Sequence, residues 1–148
     1  MKKVYIILFS LLMALKMTPA IAEKPVIEVY KSPSCGCCSD WASHLEQNGF
    51  KVISHNEENM SAVKSKLNIP GELRSCHTAV VDGHFIEGHV PARDIKRLLS
   101  TKTDIKGLSV PGMPAGTNVP GMETTNRKAS FDVIAVGDDG TEIYTRYE

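Results

Sequence analysis

Three of the four cysteines in this chain fall within four residues, Cys35-Gly36-Cys37-Cys38, and the fourth stands in Ser75-Cys76-His77-Thr78. Cys35 and Cys38 have the two-residue spacing of a redox dithiol or of half a zinc knuckle. The extra thiol, Cys37, changes what the motif can do. On the first turn of a helix, residues three apart share a face, so Cys35 and Cys38 converge while Cys37 points roughly 100° away. Three divergent sulfurs suit bridged metals better than one ion. A helix N-terminus favours anionic sulfur through its free N–H groups and dipole, lowering thiol pKa values and promoting both nucleophilic attack and metal ligation. Soft thiolates select Cu(I), with Zn(II) as the main competitor.

Three readings of the cluster follow. Four cysteines in an exported domain can be two disulfide staples, although adjacent Cys37 and Cys38 can join only with backbone strain. Cys35 and Cys38 can act as a thioredoxin-type exchange pair. All the thiols together can bind metal, with redox chemistry at the metal left open.

The other candidate donors are two histidines and two methionines. His77 adjoins Cys76 on a turn expected to face the three-thiol cluster, and imidazole suits copper and zinc alike. His89, in Glu87-Gly88-His89-Val90-Pro91, begins a helix at the same end of the expected sheet and reads as a ligand or a partner of one. Met113 and Met122 lie in twin Val-Pro-Gly-Met motifs, which fix a thioether in a loop; thioethers suit copper and suit zinc poorly. Packing of those methionines over the domain is the alternative. His44, His55 and His84 read as ordinary polar positions.

The elements that must position these groups are legible in the pattern. Val26–Tyr30 is a β-branched strand, and Lys31-Ser-Pro-Ser34 breaks it just before the cysteines. Residues 38–48 read as a helix with Trp41, Ala42 and Leu45 on its buried face and Asn48-Gly49 as the stop. Residues 50–54 alternate as a second strand. Residues 57–67 read as a helix with Met60, Val63 and Leu67 on one stripe. A hairpin, 78–81 and 84–86, turns on Asp82-Gly83, and a helix over 91–99 buries Ile95, Leu98 and Leu99. Gly107–Gly116, with Val119-Pro-Gly-Met122 echoing it, reads as a Pro/Gly/Met-rich loop. Residues 131–136 and 141–147 form a C-terminal β-hairpin. The order strand, helix, strand, helix, hairpin, helix is that of a thioredoxin-like α/β domain with the cysteines at a strand-to-helix junction.

At the N-terminus, Lys2 and Lys3 precede an apolar stretch from Val4 to Leu15, and Ala20-Ile21-Ala22 offers small residues for cleavage. Residues 1–22 are therefore read as a cleavable signal peptide and 23–148 as one domain. No cysteine follows the cleavage site, so no lipid anchor is expected in the mature form. Three of the 17 basic residues, Lys2, Lys3 and Lys16, leave with the leader, so 14 remain against 17 acidic. With a formal net charge of zero even in the full chain, no basic excess exists to neutralise phosphates, which argues against nucleic acid as a partner. A hydrophobic fraction of 42% with 23% charged residues fits a folded domain, and no apolar run reaches the roughly 18 residues of a spanning helix.

The motifs Lys31-Ser-Pro-Ser-Cys-Gly-Cys-Cys38, Ser75-Cys-His-Thr78, Glu87-Gly-His-Val-Pro91, Val110-Pro-Gly-Met113 and Pro120-Gly-Met122 together resemble the exported CopG-type copper-resistance proteins of Gram-negative bacteria. The likeness runs from Val26 to Tyr147. It implies a thioredoxin-like fold, a periplasmic location and thiolate binding of several copper ions, in company with other periplasmic copper-handling proteins. By motif, Cys35, Cys37, Cys38 and Cys76 would be the cluster ligands, with His77, His89, Met113 and Met122 closing or lining the cluster. Whether the copper turns over, as in a copper oxidoreductase, is not implied. The middle of the chain also resembles glutaredoxin, but Cys76-His77-Thr78 stands where that family has its Thr-Val-Pro turn, and no proline lies between Gly71 and Val90. A metal ligand in that place weakens the alternative function, a thiol-disulfide oxidoreductase using Cys35 and Cys38.

Overall fold

The computed structural model describes residues 23–148; the signal peptide expected over 1–22 lies outside them. The described chain is mixed α/β. Its strands are β1 (Val26–Lys31), β2 (Lys51–Asn56), β3 (Thr78–Val81), β4 (His84–Glu87), β5 (Gly107–Ser109), β6 (Phe131–Gly137) and β7 (Gly140–Tyr147). Three α-helices, α1 (Gly36–Gln47), α2 (Met60–Lys66) and α3 (Ala92–Ser100), and a short 3-10 turn at Gly71–Leu73 complete it. Among these helices none is long and apolar enough to cross a membrane.

The strands form one sheet in the order β2-β1-β3-β4-β5-β6-β7. β1 runs parallel to β2 and antiparallel to β3, while β4 runs parallel to β5. Side chains alternate across a sheet, so both faces must be covered. Ile27, Val29, Ala79, Val81, Ile86 and Leu108 pack on one face with Trp41 and Leu45 of α1 and Ile95 and Leu98 of α3. Phe85 and Val136 point the other way, against Ile69 and Leu73. The expected Asp82-Gly83 turn is present, with Asp82 at φ 47°.

Four expectations need correction. α1 begins at Gly36, because extended Cys35 serves as its N-cap. α2 is shorter than 57–67, since the Asn59 side chain caps it by accepting from Ala62 N at 3.1 Å. Its buried residue is Lys64, not the Met60-Val63-Leu67 stripe, which is only half-buried. Gly107–Ser109, read as loop, is instead strand β5, pinned between Phe85–Glu87 and Ile134–Val136. Three residues are too few to show alternation.

The C-terminal hairpin is latched to α3. Tyr147 Oη donates to Asp94 Oδ2 at 2.5 Å and accepts from Arg93 at 2.9 Å, while Thr145 Oγ1 donates to Asp94 Oδ1 at 2.7 Å. Burial, then the hydrogen bond to Asp94 and its charge, push the Tyr147 phenol up from near 10 to about 12. A raised folded-state pKa stabilises below the unfolded value, so this contribution should be intact under pH 10 and fade as pH rises through about 12. Chemical denaturation on either side of that window should show Tyr147→Phe losing less stability than the parent. An identical alkaline loss in both proteins would contradict the latch.

Candidate metal centre

Strand register explains why residues far apart in sequence meet. Tyr30 pairs with Thr78, Thr78 with Glu87, and Glu87 with Ser109 across four adjacent strands. The chain leaving β1, entering β3, leaving β4 and leaving β5 therefore emerges at one end of the sheet. Those segments carry Cys35–Cys38, Cys76-His77, His89 and the first Val-Pro-Gly-Met motif, respectively. The turn entering β3 lies against the strand-to-helix junction, as its sequence position requires.

Cys35 and Cys38 are disulfide-bonded, with Cα atoms 5.4 Å apart, and Cys37 and Cys76 are free. One disulfide with two free thiols overturns the double-staple reading. The Cys35 and Cys37 sulfurs lie 3.6 Å apart. The donor atoms of Cys35, Cys37, Cys38 and Cys76 all lie within 4.8 Å of one another, and so do those of Cys76, His77 and His89. Cys76 thus belongs to two groups that can each hold a metal ion. Its sulfur lies 3.2 Å from His77 Nδ1 and 3.3 Å from His89 Nε2.

The electrostatics favour neutral donors. Both imidazoles are buried, and burial lowers their proton affinity; for His77 the nearby His89 and Lys64 lower it further, to well below the ordinary range. His89 Nδ1–H donates to Pro120 O at 2.7 Å, which leaves the Nε2 lone pair facing Cys76. The His77 ring lies 4.3 Å from that of Trp41 between centres, tilted by 41°, and its buried Nε2 has no hydrogen-bond partner among the described residues. Burial and neighbouring Cys37 push the Cys76 thiol up to about 11, so it is protonated at neutral pH.

Both methionine loops are tied to this centre, although Met113 itself is 52% exposed and Met122 is half-buried. Ser75 Oγ donates to Gly112 O at 2.5 Å, beside Cys76, and the Pro120 carbonyl accepts the hydrogen bond from His89 Nδ1–H. The Pro120 carbonyl, which fixes the His89 tautomer, carries no signal in the sequence. His44 accepts from Ala92 N and His84 contacts the Ile105 carbonyl, ordinary polar roles as expected. A surface cleft of about 500 Å³ lies elsewhere, between Thr103–Ile105 and the β6–β7 turn, and contains none of these donors.

Comparison with known proteins bears on what this arrangement is. Residues 73–122 match a family described as a protein of unknown function, DUF411. A solved structure named copper resistance protein CopG, form 2, is 47% identical over 85% of this chain and 100% of that one, with a TM-score of 0.80. The chain belongs to the CopG family of copper resistance proteins. Form 1 of that CopG protein gives 48% identity over 84% of this chain and 98% of that one, at a TM-score of 0.78. The search of curated proteins gives no match.

Within this member of the family the second methionine loop is seated directly on α1. A Cβ on Gly121 would lie 2.6 Å from Cys37 O and 2.7 Å from Trp41 N, and Gly121 has φ +77°. Gly121→Ala is therefore expected to push the loop off the cysteine helix and destabilise the domain by about 1–3 kcal/mol. Urea unfolding checks this; an unchanged midpoint would show that the loop does not bear on α1.

Proposed function

We propose that this chain is a periplasmic copper-binding protein of copper resistance, built on a thioredoxin-like domain and exported by a cleaved leader. Its cargo is Cu(I), held as several ions bridged by Cys35, Cys37, Cys38 and Cys76. His77, His89, Met113 and Met122 close or line the cluster. The reading rests on one observation above all: Cys76 is shared between a four-sulfur group and a sulfur-imidazole group, each within 4.8 Å. A sulfur common to two donor sets suits a bridge between ions. Thiolate and neutral imidazole together select copper over harder ions, with zinc as the competitor.

Copper would be sequestered, passed to other periplasmic copper-handling proteins, or cycled between oxidation states as in a copper oxidoreductase. No nucleic acid and no membrane anchor enter the reading. Full occupancy requires the Cys35–Cys38 bond to be reduced, which takes two electrons and two protons from a dithiol.

The disulfide favours a second reading, a thiol-disulfide oxidoreductase in which Cys35–Cys38 takes two electrons and two protons from a substrate dithiol, leaving it a disulfide. Cys37→Ser separates the two. It should lower the number of copper ions held by the reduced protein, measured by mass spectrometry, while leaving any dithiol exchange untouched. An unchanged copper count would overturn the bridged cluster.

A further inference from the structure

A buried ion pair stands behind the proposed metal centre without belonging to its donor set. Lys64 of α2 is 5% exposed and Glu87, closing β4, is fully buried. Glu87 Oε1 accepts from Lys64 Nζ at 2.5 Å and from the backbone N–H of Ser75 at 2.6 Å. Glu87 Oε2 accepts the Thr78 hydroxyl at 2.6 Å, and Lys64 Nζ also donates to Thr78 Oγ1 at 2.8 Å. Three residues from two other parts of the chain, Lys64 and the Ser75–Thr78 segment's Ser75 and Thr78, thus converge on one carboxylate.

Stability is a poor reason for such a pair, because well-packed apolar side chains of similar volume often serve a core as well or better. Position supplies another. Ser75, whose N–H the carboxylate holds, precedes Cys76 directly. Glu87 also opens the Glu87-Gly88-His89 segment, where Gly88 N donates to His77 O at 3.0 Å and Gly88, at φ +72°, admits Ser75 to within 2.7 Å of where a Cβ would stand. The same three residues deliver His89, whose Nε2 lies 3.3 Å from the Cys76 sulfur. One short segment therefore holds the backbone ahead of Cys76, the backbone after it, and one of its imidazole neighbours.

We propose that Glu87, held in place by Lys64 and Thr78, is the positioning residue that fixes Cys76 toward His77, His89 and the Cys35–Cys38 motif before metal arrives. The inference rests on the copper-binding reading. Hydrogen-bonded groups behind a ligand orient it, and their loss commonly weakens metal binding about 10–100-fold. Glu87 does this through the backbone of the ligand loop, and Lys64 lets a carboxylate sit in a place that would otherwise reject its charge.

Two charge-free double variants isolate the hydrogen bond from the ion pair. Lys64→Met with Glu87→Gln keeps an oxygen for the Ser75 N–H; Lys64→Met with Glu87→Leu does not. The reduced proteins are titrated with Cu(I) against a chromogenic Cu(I) chelator. The leucine variant should lose about tenfold or more in copper retention and shift the thiolate-to-copper absorption, while the glutamine variant stays close to the parent. Equal retention in the two variants, high or low, would overturn the proposal. Should the leucine variant not fold, hydrogen exchange at the Ser75 amide of the metal-free parent decides: protection like that of the β3 amides is expected, and exchange at the unprotected rate would overturn it. A parent protein that holds no copper would instead overturn the reading underneath.

Discussion

Cys76→Ser is expected to strip more copper from the reduced protein than any other single substitution. Each of the other five cysteine and histidine donors belongs to one group, but Cys76 belongs to both, so its loss breaks the four-sulfur set and the sulfur-imidazole set together. Serine offers a hard hydroxyl oxygen in place of a soft thiolate, a poor exchange for Cu(I). Removing a group that merely orients a ligand costs about 10–100-fold in affinity, so removing the shared ligand should exceed about 100-fold. The fold should survive, since Cys76 is only half-buried and lies outside the two core clusters. Copper counted by mass spectrometry beside a thermal melt separates these effects. A variant that keeps the parental copper count would show that Cys76 is not a bridge.

Cu(I) should raise the thermal midpoint of the dithiol form by roughly 10–20 °C and that of the disulfide form by much less. At free copper about 1,000 times the dissociation constant, binding to the folded state alone adds about 4 kcal/mol, and a domain of this size shifts about 3–5 °C per kcal/mol. In the disulfide form Cys35 and Cys38 lack thiolate lone pairs for bridging, which leaves Cys37, Cys76 and the two imidazoles. Differential scanning calorimetry without oxygen, on protein prepared with and without a dithiol, measures both. Equal shifts in the two forms would mean that the cysteine motif does not hold the metal. The absence of any shift would count against copper binding as a whole.

The convergence of Cys76, His77 and His89 on the cysteine motif was legible because it follows from strand order alone: adjacent antiparallel strands return their ends to one place. The repeated Val-Pro-Gly-Met motif likewise announced two built loops, and both touch the centre through backbone groups. What the thioethers reach is a matter of side-chain placement, and Met113 stands half in solvent. Strand β5 was illegible because its pairing partners, Phe85 and Val136, lie about 20 to 30 residues away and no pattern within Gly107–Ser109 betrays them. The buried Lys64 was hidden for a different reason. Helical periodicity ranks lysine as solvent-facing, and only a carboxylate on another element, 23 residues along the chain, makes its burial tolerable. The Pro120 carbonyl was hidden too, since any residue supplies a carbonyl and only the fold aims it at His89.

A multinuclear Cu(I) site can be read out by native mass spectrometry of residues 23–148, reduced and offered Cu(I) and Zn(II) together without oxygen. Two or more copper ions bound with zinc excluded is the expected result. A protein that emerges metal-free, and two mass units lighter once oxidant joins Cys35 to Cys38, would contradict it and favour dithiol exchange.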